Sequence, residues 1–119
     1  METVIILLAL FGIKHFLADF LWQFPYMVED KGHYGAEGGM IHALLHGLLT
    51  FFVLIGFARP EDAITLALID SLFHYHIDWV KTNLSSGLVP EDRKFWIWFG
   101  LDQTLHYLTY VAIIGIIVL

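Results

Sequence analysis

Four apolar stretches, each close to the length of a membrane-spanning helix, dominate the chain and limit what it can fold into. They cover approximately residues 2–22, 40–57, 63–82 and 94–119. A helix that crosses a bilayer needs about 20 mainly apolar residues. Of the 119 residues 58 % are hydrophobic, whereas soluble domains contain roughly 45–50 %. Because the connecting segments are short, the sequence predicts one transmembrane domain, residues 1–119, folded as an all-α, four-helix up-down bundle.

Polar segments rich in glycine, proline and acidic residues separate the four stretches. Residues 29–39 predict a loop after Pro25, and residues 59–62 predict a turn that starts the third helix. Basic residues are commoner beside the first and third loops than beside the second. They are Lys31, Lys81, Arg93 and Lys94 on one side and Arg59 on the other. The positive-inside rule therefore places the first and third loops in the cytoplasm.

Each apolar stretch contains a pair of ionisable residues four positions apart. The pairs are His15 with Asp19, His42 with His46, His74 with Asp78, and Asp102 with His106. Residues i and i+4 share one face of a helix. At about 1.5 Å per residue, most of these side chains fall roughly 5–15 Å below the same membrane surface. Since ionisable residues in membrane helices are costly and mark functional sites, we predict a single site near the cytoplasmic leaflet.

The residue types of this cluster favour a metal ion. Five histidines and three aspartates, in a chain without cysteine, suit one or two divalent ions, with zinc favoured and manganese or iron as alternatives. Eight donors exceed the three or four that one ion takes. Either two ions bind, bridged by an aspartate, or some of the eight orient the imidazoles that bind metal.

The leading functional hypothesis is metal-dependent hydrolysis of a membrane-associated substrate, a lipid or a phosphoester. A metal centre activates water, and His106 or Asp78 would move protons. Lys81 lies one turn after Asp78 and would hold an anionic group, although a lysine at this depth also suits the membrane interface. Two further charges, Lys14 and Asp70, fall within apolar stretches, where they either pair or Lys14 extends to the interface.

Other function classes remain as alternatives or are excluded. A metal-ion or proton transporter also lines its interior with His and Asp, and a membrane di-iron oxygenase also uses histidines at this spacing. The chain has no cluster of basic residues, which excludes nucleic acid as a partner. It has no HExxH, GxSxG or P-loop motif. The expected partner is the lipid bilayer, and a homo-oligomer would shield His76, which does not share the face of His74.

Several of these elements resemble a known family. They are HFLADFLWQ (residues 15–23), HxxxH (42–46), HxxxDxxK (74–81) and DQxxH (102–106). Together they are similar to the domain of unknown function 3307 family, small membrane proteins of bacteria and phages. The resemblance covers nearly the whole chain. It implies a location in the bacterial inner membrane and carries no established activity.

Overall fold

The computed structural model describes all 119 residues and consists of helices and short connections. The helices are α1 (Glu2–Phe16), which continues into a π-helical turn (Leu17–Leu21), α2 (Pro25–Asp30), α3 (Glu37–Leu54), α4 (Pro60–Leu84) and α5 (Arg93–Val118). The prediction of an all-helical chain is confirmed.

The segment between the first two long helices is more structured than the sequence indicates. It contains α2, a helix of six residues that starts with Pro25 at its first position, where proline is well tolerated. Helix α3 starts at Glu37. The predicted loop over residues 29–39 is therefore wrong at both ends and is confined to residues 31–36.

The four long helices form a ring in which each packs against two others. Backbone contacts join α1 to α3, α3 to α4, α4 to α5 and α5 back to α1, and α2 packs on α3. The first and last helices are therefore neighbours. One face of each long helix points towards the common axis.

Three helical segments are long and apolar enough to cross a membrane, namely Glu2–Leu21, Glu37–Leu54 and Arg93–Val118. The sequence predicts four, and α4 is the exception because it contains Asp70, Asp78 and Lys81. Both aspartates are buried, with exposures of 1 % and 6 %, whereas Leu68 and Leu72 of the same helix are 61 % and 59 % exposed. The charges that lower the hydropathy of α4 thus face the bundle axis, and its outer face is apolar.

The interior is unusually polar for a chain with so many apolar residues. Nine of the 24 buried residues are polar or charged: Lys14, His42, His46, Thr50, Asp70, His74, Asp78, Asp102 and His106. Charged residues are rarely buried in soluble domains unless they are paired. Large apolar side chains cover the outside instead. This distribution is the reverse of that in a water-soluble protein.

An apolar cluster fills one end of the bundle. It consists of Leu7, Phe11, Leu54, Ala63, Leu66, Tyr110, Ile113 and Ile114. These residues come from the part of α1 before Lys14, the end of α3, the start of α4 and the second half of α5. The polar residues occupy the remaining part of the interior, towards the end that carries α2.

Helices α3 and α4 approach each other closely at Gly47. A Cβ atom at this position would lie 2.7 Å from the carbonyl oxygen of Ala67 and would collide with the hydroxyl of Ser71. Glycine is therefore the residue that lets the two backbones meet here. This contact sets the distance between the two helices that supply His42, His46 and His74.

Candidate metal centre

The structure brings all eight predicted donors together at the bundle axis. Six of them have exposures of 6 % or less: His42, His46, His74, Asp78, Asp102 and His106. His15 and Asp19 of α1 complete the group, with side-chain exposures of 13 % and 9 %. The convergence follows from the spacing of the pairs, because residues four apart lie on one helical face and all four faces point inward.

A π-helical turn presents Asp19 to the other donors. The backbone N–H of Trp22 donates to the carbonyl of Leu17, five residues earlier, at 2.9 Å. Asp19 lies within this turn. Single π turns inside α-helices are frequent at functional sites, and this one occurs where α1 reaches the centre.

The carboxylate of Asp19 lies among the histidines of three helices. Its Oδ1 atom is 2.9 Å from Nε2 of His46, 3.1 Å from Nε2 of His42 and 3.8 Å from Nε2 of His74. Its Oδ2 atom is 3.0 Å from Nε2 of His15. Asp19 therefore joins α1 to α3 and α4.

The carboxylate of Asp78 occupies the corresponding position for α4 and α5. Its Oδ1 atom is 3.2 Å from Nε2 of His106. Its Oδ2 atom is 3.3 Å from Nε2 of His74 and 3.4 Å from Nε2 of His42. The two oxygens thus face different histidines, as those of a bridging carboxylate do.

The imidazole rings themselves are tightly grouped. His74 lies between two stacked rings, with centroid distances of 3.5 Å to His46 and 4.0 Å to His106. The Nε2 atoms of His42 and His74 are only 3.1 Å apart. Two ring nitrogens at this distance require either a shared proton or a cation that both of them face.

The separations between donor atoms fit the coordination shell of a metal. Two atoms bound to one tetrahedral zinc at about 2.0–2.1 Å lie roughly 3.3–3.4 Å apart. Two sets of donors could hold an ion, because the ligand atoms within each set lie within 4.8 Å of one another. The first donor group is Asp19, His42, His46 and His74, and the second donor group is His74, Asp78 and His106.

His74 belongs to both donor groups, which limits how two ions could bind. The Nε2 atom of His74 can bind only one ion, so a second ion would be held by the other donors of the two groups. Asp78 offers a separate oxygen to each side. A pair of ions would therefore be adjacent and joined by this carboxylate.

His15, a predicted ligand, lies beside the first donor group and supports it. Its Nε2 atom faces two acceptors, Oε1 of Gln103 at 2.9 Å and Oδ2 of Asp19 at 3.0 Å. Its Nδ1 atom is 2.8 Å from the hydroxyl of Tyr110. The Nε2 atom therefore carries the proton and donates it, and the Nδ1 atom accepts from the tyrosine. In this arrangement His15 orients Asp19.

Asp102, another predicted ligand, lies beside the second donor group. Its Oδ1 atom is 3.4 Å from Nε2 of His106, and its Oδ2 atom accepts a hydrogen bond of 3.1 Å from Nε2 of Gln103. His106 consequently lies between two carboxylates, since Asp78 is on its other side. The Oδ1 atom of Asp102 is buried without a hydrogen-bond partner, which leaves it free to accept one.

A buried ion pair lies under the centre, on the side of the apolar cluster. The Lys14 ammonium is 2.7 Å from Oδ2 of Asp70, and the Thr50 hydroxyl donates to the same oxygen at 2.6 Å. The Lys14 Nζ atom also lies 3.4 Å from Nδ1 of His46. The sequence left two roles open for Lys14, and the structure shows the pairing with Asp70.

Lys31 is a residue of the centre that sequence reasoning missed. Its ammonium is 2.8 Å from Oδ2 of Asp78, with a side-chain exposure of 13 %. It lies just after α2, in the segment read from the sequence as a loop. No local pattern marks it, because its position depends on how α2 folds against the bundle.

The segment that carries Lys31 is fastened to its neighbours. The Asn83 side chain donates to the carbonyl of Gly32 at 3.1 Å, and the N–H of Gly35 donates to the Tyr75 hydroxyl at 2.6 Å. The N–H of Gly38 donates to Asp30 at 2.7 Å. Gly32 and Gly35 are therefore hydrogen-bonded parts of a segment that we name the cap and define as residues 25–36.

Two openings reach the centre. A cavity of 330 Å³ is lined by three of its carboxylates, Asp19, Asp78 and Asp102, together with Lys31 and Lys81. A second cavity of 360 Å³ lies between α1 and α5 and reaches His15. Lys81, predicted to hold an anion, thus lines a cavity that borders the centre.

The two remaining histidines lie outside the centre. His76 is 3.0 Å from the hydroxyl of Tyr34, and its Nδ1 atom lies 2.8 Å from the carbonyl of Leu72 on its own helix. His33 is exposed in the connection after α2. The prediction that His76 does not share the face of His74 agrees with this placement, and Tyr34 of the same chain covers part of it.

Comparison with known proteins places the chain in a family. No curated protein and no solved structure is significantly similar to it. A family model matches residues 6–119, which is nearly the full length and includes every residue of the centre. The chain therefore belongs to the family described as protein of unknown function (DUF3307).

Proposed function

We propose that the chain is an integral membrane protein in which all four long helices cross the bilayer as an up-down bundle. The longest dimension of the molecule is 43 Å, and a bilayer with its head groups is about 40–45 Å thick. Helix α4 fits this arrangement because its aspartates face inward. The apolar cluster contains residues from the part of α1 before Lys14 and from the start of α4, together with residues from the end of α3 and the second half of α5. This supports long helices that alternate in direction along the chain.

The basic residues favour one orientation. Lys31, in the connection after α2, and Arg93, at the start of α5, lie at the same end as the centre, and Arg59 lies at the other end. By the positive-inside rule the centre lies near the cytoplasmic leaflet, in the inner membrane of a bacterium. The three spans that are apolar enough support membrane association.

The centre binds one or two divalent ions. The observation that carries this proposal is the convergence of the Nε2 atoms of His42, His46 and His74 on one oxygen of Asp19, at 2.9–3.8 Å. Asp78 supports a second ion beside the first. Nitrogen and oxygen donors without sulfur suit zinc, manganese or iron, with zinc favoured.

We further propose that the bound metal supports hydrolysis of a phosphoester or lipid at the membrane surface. A divalent ion held by the residues of the centre would activate a water molecule. In the proposed reaction the water oxygen would form a bond to phosphorus, and the bond from phosphorus to the leaving oxygen would break. The proton that the water loses passes to the leaving oxygen through a side chain of the centre. His106, held between Asp78 and Asp102, is placed for that transfer.

Translocation of metal ions or protons is less well supported. A transporter needs a polar route that continues to the opposite membrane surface. Beyond Lys14 and Asp70 the interior is occupied by the apolar cluster, and the cavity beside Lys31 opens at the opposite end. A di-iron oxygenase would use the same donors and would be recognised by bound iron and its absorption spectrum.

Elemental analysis of detergent-purified protein tests the metal proposal. We expect one or two divalent ions per chain in the wild type and a large loss in the double variant His42→Ala/His46→Ala. The matched control is His76→Ala, which removes a histidine outside the centre and should leave the metal content unchanged. A wild type without metal after growth with zinc, manganese and iron would refute the proposal.

Turnover of phosphoester and lipid substrates tests the hydrolase separately. We expect metal-loaded protein to release phosphate or a lipid alcohol. Activity should disappear with a chelator and return with the ion. Fully loaded protein that turns over none of a broad panel would contradict the hydrolase and leave the metal centre standing.

A further inference from the structure

The cavity beside the centre combines two lysines with the carboxylates of the metal centre. It has a volume of 330 Å³, and its polar lining includes Asp19, Asp78, Asp102, Lys31 and Lys81. The two lysines come from different segments, one from the cap and the other from the last turn of α4. The cavity is therefore formed where the cap meets the bundle.

Lys31 is fixed at the edge of the centre. Its ammonium lies 2.8 Å from Asp78, and the hydrogen bonds of Gly32 and Gly35 hold the cap in place around it. A lysine side chain normally loses much rotamer freedom when it is held. Here the fold has already ordered it, so a ligand that binds to it loses less entropy.

Lys81 is a cation without an acidic partner. It has no carboxylate within 4.0 Å, and its Nζ atom lies 6.0 Å from the centre of the Phe99 ring. An ammonium group that lines a cavity without a paired carboxylate is available to an anion.

The charge of the cavity depends on the metal. Without metal its three carboxylates outweigh its two lysines, and an anion would be repelled. With two divalent ions at the centre the net charge of the cavity becomes +3, and with one ion it becomes +1. An anion with two negative charges then matches the two ammonium groups. A phosphate monoester carries up to two charges near neutral pH, whereas a phosphodiester carries one.

The rest of the lining indicates an amphiphile. Apolar side chains form one part of the wall: Phe20, Val28, Leu88, Phe95 and Phe99. Uncharged polar side chains form another part of the wall, among them Gln23, Gln103 and Ser86. The lining therefore suits a ligand that has both an apolar and a polar part.

From these features we infer that the cavity binds the phosphate of an amphiphilic phosphate monoester, with Lys31 and Lys81 as the two cationic contacts. The inference rests on the proposed function and narrows its substrate class from phosphoesters in general to monoesters. Lys31 acts as a substrate-binding residue delivered by the cap. Its pairing with Asp78 places the phosphate next to the metal-binding carboxylate.

Binding of phospholipids to the metal-loaded full chain tests the inference. The protein is placed in nanodiscs, and native mass spectrometry compares a phosphate monoester lipid, phosphatidic acid, with a diester, phosphatidylglycerol. We expect at least a tenfold preference for the monoester. Lys31→Met and Lys81→Met should each weaken monoester binding about 10- to 100-fold, since a hydrogen bond to a charged group contributes about 1.5–3 kcal/mol. Metal content is measured in every sample.

Controls separate this inference from the proposed function and from loss of the fold. Lys94→Met removes an exposed lysine outside the cavity and should change nothing, and Lys31→Arg should retain more binding than Lys31→Met. Normal metal content with equal binding of both lipids, or with unchanged binding in both methionine variants, would overturn the inference alone. Inorganic phosphate that binds as tightly as the lipid would overturn the amphiphile assignment. A wild type without metal would overturn the proposed function itself.

Discussion

At the scale of single residues, Asp19 and Asp78 hold the centre together. Each carboxylate faces histidines from more than one helix, and each uses both of its oxygens. A carboxylate with several imidazole neighbours is an acceptor that orders the rings, and in the proposed metal centre it would also be a ligand. The contacts of the two aspartates connect the four long helices whether or not an ion is bound.

A comparison of His46→Ala with His106→Ala counts the ions. His46 belongs only to the first donor group and His106 only to the second. If two ions bind, each variant should lose about half of the metal, and so should His74→Ala, because its one Nε2 atom can bind only one of the two ions. Elemental analysis of the three purified variants measures this. Loss of all metal in His46→Ala together with full retention in His106→Ala would show a single ion in the first donor group.

The buried pair beneath the centre predicts an asymmetric response to mutation. Lys14→Met leaves the Asp70 carboxylate buried with only the Thr50 hydroxyl as its partner, and breaking a buried pair costs about 3–5 kcal/mol. The double variant Lys14→Met/Asp70→Asn leaves no charge at this pair and should be more stable than the single variant. Thermal unfolding in detergent checks the order. A double variant that is less stable than Lys14→Met would contradict it.

Sequence reasoning located the eight residues of the centre but not all of their partners. Thr50 and Tyr110 could have been predicted, because each lies four residues after a histidine of the centre, His46 and His106 respectively. Lys31 could not have been predicted, because its contact with Asp78 depends on the fold of the cap and no periodic pattern includes it. Spacing within a helix can be read from the sequence, whereas a contact between a connection and a helix cannot.

At the scale of helices, composition predicts the long elements and misses the local departures. When the π turn is counted with α1, the four long helices lie within three residues of the predicted bounds at each end, because apolar stretches and Pro60 mark them. The π turn at Leu17–Leu21 has no such mark in the sequence. Helix α2 has only six residues and is too short for periodicity to reveal.

The close contact of α3 with α4 predicts a sensitive glycine. Gly47→Ala should destabilise the protein by about 1–3 kcal/mol, because the added Cβ meets Ala67 and Ser71 of α4. The matched control is Gly12→Ala in α1, where a Cβ meets nothing within 4 Å. That change should be neutral or stabilising by up to about 1 kcal/mol. Thermal unfolding of the two variants in the same detergent measures the difference, and equal midpoints would contradict the close contact.

At the scale of the whole molecule, the polar interior and the apolar exterior support the proposed membrane location. Large exposed apolar surfaces cause aggregation in water. In the proposed bilayer arrangement the apolar surface would contact lipid, and the ring of helices would enclose the polar groups.

A charge on the outer face of α4 tests whether this helix crosses the membrane. Leu72 is 59 % exposed and lies at the middle of α4, and a lysine at the centre of a membrane helix costs about 2.5–3.5 kcal/mol. Leu72→Lys should lower the fraction of protein that resists extraction by alkaline carbonate. Ser86→Lys, in the connection after α4, should not. An equally integrated Leu72→Lys variant would argue that this face is not in lipid.

The order of the donors along the chain has a consequence for biosynthesis. The first donor group takes its residues from α1, α3 and α4, whereas the second needs His106 of α5. If the four long helices enter the membrane in chain order, as we propose, every member of the first donor group has therefore been synthesised once α4 has left the ribosome. The second donor group is complete only after α5 has been synthesised, and α5 also packs against α1. A nascent chain could thus take up its first ion before translation ends, and the arrival of α5 would complete the second.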